Sequence, residues 1–171
     1  MSELEEKQTM YRHSMSHVLA KAIMELYGKD NVKLAIGPAI DNGFYYDFDI
    51  NKSITDADFE TIEAKMKEII ERNEDFRREE VSREKALEMF KDEPYKVELI
   101  KDLPENETIS IYYTGDDFVD LCRGPHVENS KFLRGFAFKI NRVSGAYWRG
   151  NEKNKMQIGR AHVWTPVTSA H

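Results

Sequence analysis

The chain has 171 residues, 40% of them hydrophobic and 33% charged, with a formal net charge of −6, a soluble globular composition large enough for a real core. No apolar run reaches the roughly 18 residues of a membrane span, and the acidic start MSELEEKQTMYRH is the reverse of a secretory signal. The single cysteine excludes an internal disulfide and suits a reducing cytoplasm, and the net negative charge argues against an autonomous nucleic-acid binder.

Thr9 to Tyr27 reads as a helix that Gly28 ends. Tyr11, Met15, Val18, Leu19, Ala22 and Leu26 form one apolar stripe at helical spacing, and His13 and His17 point nearly opposite it. Lys33 to Ile50 reads as a β-hairpin turning at Asp41-Asn42-Gly43. Thr55 opens a second helix with a capping-box pattern, and Phe59, Ile62, Met66, Ile69 and Ile70 give its buried face. An extended piece at Phe76 to Val81 precedes a third helix capped by Ser82, and Pro94 begins another short segment. Beyond Pro104 the pattern turns to strands: TISIYYT, DFVDLC, FAFKI and GAYWRG. Helices and mostly antiparallel strands in separate runs predict an α+β, two-layer domain.

Ile158 to His171 shows no hydrophobic period or turn logic, and it resembles the translation of a sequencing adapter with a stop codon read as Trp164. The expected organisation is therefore a short extension at 1–9, one domain at 10–156 and a non-native tail at 157–171, which makes the chain a fragment.

Outside the last fourteen residues the chain has three histidines and one cysteine, in two motifs, His13-x-x-x-His17 and Cys122-x-x-x-His126. Residues four apart on a helix share a face, and Arg123-Gly124-Pro125 forces a turn that can fold Cys122 toward His126. The four make a His3Cys set, the right types and number for tetrahedral Zn²⁺. Ser14 stands where the zinc-protease pattern needs a glutamate. A structural zinc staple, a cysteine nucleophile activated by His126, and chance placement are the competing readings. Charge is uneven: Lys131, Arg134, Lys139, Arg142, Arg149, Lys153 and Lys155 face only Glu152 between Lys131 and Met156, either a local anion site or a solvated cationic face.

HSMSHVLAKAI, LAIGPAIDNGFYYDFDI, PYKVELI, DLCRGPHV and FKINRVSGAYWRGNEKNKM, in this order, resemble the editing ("second additional") domain of threonyl-tRNA synthetases, shared in diverged form with alanyl-tRNA synthetases and free-standing editing proteins. The resemblance implies that the domain hydrolyses seryl-tRNA(Thr), because a missing methylene is worth only about 1–3 kcal/mol at the synthetic site. It implies catalytic roles for His13, His17, Lys96, Asp120, Cys122 and His126, and substrate contacts for Tyr113 and Arg123. His13 and His17 would hold or deprotonate a water. Asp120 would meet the ammonium or hydroxyl of the amino acid, and Lys96 would orient substrate or stabilise developing charge. Zn²⁺ on the His/Cys set is the alternative to metal-independent chemistry, which the reading favours. ATP and a further Zn²⁺ would belong to a catalytic core absent from these residues. The implied partners are the tRNA(Thr) acceptor end, met by the basic stretch, and the rest of a cytoplasmic, homodimeric synthetase. A free-standing trans-editing deacylase and a non-catalytic, metal-stapled tRNA-contacting module are the other functions considered.

Overall fold

A computed structural model describes residues 2–148 and 156–165 of the chain. It is a mixed α+β fold, as expected, although its strands divide between two antiparallel sheets. Helix α1 spans Glu3–Tyr27, with Ser2 accepting a capping hydrogen bond from the Glu5 N–H. It thus begins six residues before the expected start, and Gly28, at φ 85°, ends it as predicted.

Strands β1 (Val32–Leu34) and β2 (Ala39–Ile40) both pair with β3 (Gly43–Ile50), so the expected hairpin is interrupted at 35–38. Asn42 takes the positive φ, 62°, that the turn needs. Gly37 lies in the interruption, where a Cβ would sit 2.1 Å from the Tyr46 ring. Helix α2 (Asp56–Glu71) starts at the Thr55 capping box, with Asp58 as its acidic member, and buries Ile62, Met66, Ile69 and Ile70. Next come β4 (Phe76–Val81), α3 (Arg83–Met89, capped by Ser82) and α4 (Pro94–Asp102).

Strands β5 (Ile109–Thr114) and β6 (Phe118–Leu121) join β4 in the smaller sheet, in the order β4-β5-β6. Side chains alternate across a strand. Ile109, Ile111, Val119 and Leu121 accordingly pack with Ala86, Phe90 and Ile100, whereas Tyr112 and Phe118 join the main core around α1. That alternation also decides which residues reach the site.

A 3₁₀ turn spans Ser130–Leu133, and of the expected strand FAFKI only Lys139 and Ile140 lie in β7 (Lys139–Tyr147). Strand β8 (Met156–Trp164) lies between β3 and β7 in the larger sheet, so most of it comes from residues set aside as patternless. Ala161 and Val163 are buried while Trp164 is exposed, which is a period of two. Arg160 of β8 makes a bidentate pair with buried Asp47 at 2.7 and 2.9 Å. Within the basic stretch, Arg134 pairs with Glu71 at 3.2 Å, and Arg149, Lys153 and Lys155 lie outside the described residues.

The interior of α1 is buried on every side from Ser14 to Ile23. His13, His17 and Lys21 follow one another at i, i+4 and i+8. Lys21, 1% exposed, donates to Glu74 and Asp117 and to the Thr114 carbonyl, pinning the helix to the β5–β6 turn of the smaller sheet.

Candidate active site

Helix α1 brings His13 and His17 to the C-terminal end of β6, where the chain leaves the sheet through Cys122 and turns at Gly124. Gly124 has φ 80°, and a Cβ there would lie 2.6 Å from the Tyr112 hydroxyl, so glycine is required on both counts. The turn returns His126 beneath Cys122. The ligand atoms of His13, His17, Cys122 and His126 all lie within 4.8 Å of one another. Cys122 Sγ is 3.3 Å from His13 Nε2 and 3.2 Å from His126 Nε2, and it accepts from the Gly124 N–H at 3.2 Å. The imidazole of His126 packs 4.2 Å from that of His13 and 4.1 Å from that of His17, with Tyr112 edge-on at 4.4 Å.

Asp120, one strand period before Cys122, forms the floor. Its carboxylate accepts from Lys96 Nζ at 2.6 Å, Tyr46 Oη at 2.7 Å and the Leu121 N–H at 2.8 Å. His17 Nε2 lies 3.8 Å from the same carboxylate. Lys96 also donates to the Ala35 carbonyl. Lys96, Asp120 and Tyr46 are all buried. His13, His17, Lys96, Asp120 and Cys122 line a pocket of about 260 Å³ with Gly37 and Pro38. A larger, more apolar cavity of about 530 Å³ shares His13, Pro38 and Gly124 with it.

Burial dominates the proton affinities. It lowers His13, and it holds His17 well below the ordinary imidazole value, helped by neighbouring His13 and Lys96. Burial, then His17 and His13, drives His126 far down, and the Cys122 thiol is pushed up to about 12. At neutral pH the site therefore holds three neutral imidazoles and a thiol. Neutral imidazoles can take a proton, while a protonated thiol is a poor nucleophile.

The residues 109–158 match the family described as the threonyl and alanyl tRNA synthetase second additional domain. A threonine--tRNA ligase of Thermotoga neapolitana is 55% identical over 152 residues, covering 88% of this chain and 23% of the relative. The Acetivibrio thermocellus enzyme is 56% identical over 148 residues, 85% of this chain and 22% of the relative. The Clostridium perfringens (strain SM101) enzyme is 55% identical over 151 residues, with 88% and 23% covered. The chain belongs to the threonyl- and alanyl-tRNA synthetase second additional domain family. Its matched part spans about a quarter of the length of these threonine--tRNA ligases. No helix among the described residues is long and apolar enough to cross a membrane.

Six of the residues singled out in the sequence converge at this second-additional-domain site: His13, His17, Lys96, Asp120, Cys122 and His126. Arg123 lines the rim of the pocket with its guanidinium largely exposed and paired with Glu107. Tyr113 does not line the pocket. It packs with the α3–α4 cluster beneath Arg77, 4.3 Å from its ring, and its neighbour Tyr112 faces His126 instead. The reason is strand alternation along β5. Tyr46 and Ser14 were missed: Tyr46 binds Asp120, and Ser14 Oγ lies 3.0 Å from His126 Nδ1. A signal for Ser14 exists, since it stands one residue after His13 and three before His17 on the same buried helix.

The donor set fits a zinc ion. Tetrahedral ligand atoms at bond lengths of about 2.0–2.3 Å lie roughly 3.3–3.7 Å apart. The two Cys122–His separations are already near that, and the widest pair would close by about 1 Å. His17 Nδ1, buried and without a hydrogen-bond partner among the described residues, supplies an uncommitted nitrogen.

Proposed function

We propose that this domain hydrolyses the ester of seryl-tRNA(Thr), as the editing module of a cytoplasmic, homodimeric threonine--tRNA ligase. The observation that carries the reading is the convergence of neutral His13 and His17 with Asp120, Lys96 and Cys122 on one small pocket. Ester hydrolysis needs a water, a base and a stabilised oxyanion. His13 lines both cavities and accepts the proton of the attacking water. The water oxygen bonds to the carbonyl carbon, the carbon–ribose oxygen bond breaks, and the same proton passes to the leaving ribose hydroxyl. Asp120 receives the substrate ammonium with the lone pair its three partners leave free, and the Lys96 cation offsets charge developing nearby. Zn²⁺ held by three of His13, His17, Cys122 and His126 would leave its fourth position to a water of lowered pKa, whereas all four ligands would close the site. The acceptor end of tRNA(Thr) would approach across the rim at Arg123. On this reading the native domain is 10–156, and residues 157–171 are foreign sequence, of which 157–164 occupy the place of a strand.

Deacylation of seryl- and threonyl-tRNA(Thr) by excess full chain, with and without a chelator, tests the proposal. Faster loss of the seryl ester, abolished in His13→Ala, is expected. Equal loss of both esters, or an unaffected His13→Ala, refutes it. The closeness of the four ligand atoms favours a second reading, a metal staple without catalysis. That reading requires Cys122→Ala to unfold together with metal loss, whereas the enzyme reading requires it to stay folded and lose hydrolysis.

A further inference from the structure

We infer that Ser14 is a positioning residue that fixes the tautomer of His126, placing the ring proton on Nε2 and aiming it at Cys122 Sγ. The inference follows from counting donors. Ser14 is fully buried, and among the described residues its Oγ has two hydrogen-bond partners, the Val127 N–H and His126 Nδ1, each at 3.0 Å. A backbone N–H can only donate, so it occupies a lone pair of Oγ. The hydroxyl proton then has one acceptor in reach, His126 Nδ1.

The opposite arrangement, with Nδ1–H donating to Oγ, strands a buried hydroxyl proton, and an unmade buried hydrogen bond carries a real penalty. With Nδ1 accepting, a neutral His126 carries its proton on Nε2, which faces Cys122 Sγ at 3.2 Å. The relay continues consistently beyond the sulfur. His13 Nε2 also lies 3.3 Å from Sγ. With the His126 Nε2–H and the Gly124 N–H both donating to Sγ, the Cys122 S–H is directed at His13 Nε2. Every donor then points one way, from Val127 through Ser14, His126 and Cys122 to His13.

The consequence for the site is a division of labour. His126 is committed as a donor and cannot serve as base, so proton acceptance falls to His13, where water takes the place of the Cys122 S–H at Nε2, and to His17. This consequence rests on the hydrolytic reading above, but the tautomer itself does not.

The test reads the tautomer without turnover. The full chain is labelled with ¹⁵N-histidine, stripped of metal with a chelator and held at neutral pH. Long-range ¹H–¹⁵N correlation spectra then distinguish the protonated from the bare ring nitrogen, with His126 assigned by its disappearance in His126→Gln. The wild-type protein is expected to show His126 with the proton on Nε2. Ser14→Ala should convert it to a mixture or to the Nδ1–H form, and Ser14→Thr, which keeps the hydroxyl, should retain the wild-type pattern. Seryl-ester hydrolysis should fall about 10-fold in kcat for Ser14→Ala, the usual cost of removing an orienting partner. A wild-type His126 carrying its proton on Nδ1 overturns the inference, and this measurement needs no variant of Ser14 to fold. A folded Ser14→Ala with an unchanged Nε2–H pattern overturns it equally.

Discussion

Replacing Lys96 by methionine removes the cation from an ion pair that is almost wholly out of water. The side chains of Lys96 and Asp120 are each 3% exposed, and their charges lie 2.6 Å apart. At an effective dielectric constant of about 20, Coulomb's law gives roughly 6 kcal/mol of attraction at that distance. Desolvating the two ions costs several kcal/mol each, so the pair as a whole comes out near break-even. Removing one partner is different, because the desolvation of the other is no longer offset. Tyr46 Oη and the Leu121 N–H still bind the carboxylate, which places Lys96→Met at about 3–5 kcal/mol of destabilisation. For a domain of this size that lowers Tm by about 6–20 °C. The double variant Lys96→Met/Asp120→Leu removes both charges and should recover most of the loss. Urea unfolding followed by circular dichroism, as a double-mutant cycle, measures the four states. A Lys96→Met protein within about 1 kcal/mol of wild type, or a double variant as unstable as the sum of the singles, would refute the argument.

Stability should peak in a window between about pH 6.5 and 9. The three site histidines have lowered pKa values in the fold, so below about 6.5 the unfolded chain binds protons that the native state refuses. Stability then falls with falling pH, by at most about 4 kcal/mol per unit. Cys122 is raised from 9.0 to about 12, so stability also falls as pH rises above about 9, and urea midpoints across pH 4–10 would expose a flat profile if this is wrong. At pH 8 the same thiol should alkylate with iodoacetamide on the order of a thousandfold more slowly than in denaturant, and comparable rates would contradict its placement. Gly37→Ala would put a methyl 2.1 Å from the buried Tyr46 ring and should cost about 1–3 kcal/mol while displacing the hydroxyl from Asp120. An unchanged melting temperature would show that Tyr46 has room to move.

The element order was legible where local chemistry is strong. Gly28, the Thr55 capping box, Ser82, Pro94 and the Asp41-Asn42-Gly43 turn each mark a boundary through a backbone requirement that holds whatever the tertiary context. The His/Cys cluster was legible for a different reason: residue types used almost nowhere else stand in two pairs whose spacing lets each pair converge. Strand β8 was not legible. Its alternation rests on Ala161 and Val163 alone, two small residues among charged and aromatic ones, and a central position between β3 and β7 supplies the rest. Backbone pairing on both edges makes a strand of a segment whose own side chains specify one weakly.

The polar interior of α1 escaped for a related reason. A helix buried on one side announces itself by an apolar stripe, but α1 is buried on all sides, and its second face is lined by His13, Ser14, His17 and Lys21. Each of these is paid for by a partner distant in sequence: Cys122, His126, Asp120 and Glu74. Hydrophobic periodicity cannot register such a face, because its residues look solvated until the strands that satisfy them are in place. The same dependence explains why Tyr112 rather than Tyr113 reaches His126. The two tyrosines are adjacent and chemically alike, and only the register of β5 against β6, Tyr112 opposite Asp120, assigns one of them to the His126 ring. A one-residue slip of that register would send Tyr113 toward His126 and draw Asp120 off the floor of the site. The buried Lys96–Asp120 pair therefore works as a lock on strand register as well as on His17, because a slipped strand would leave both charges buried and unpaired.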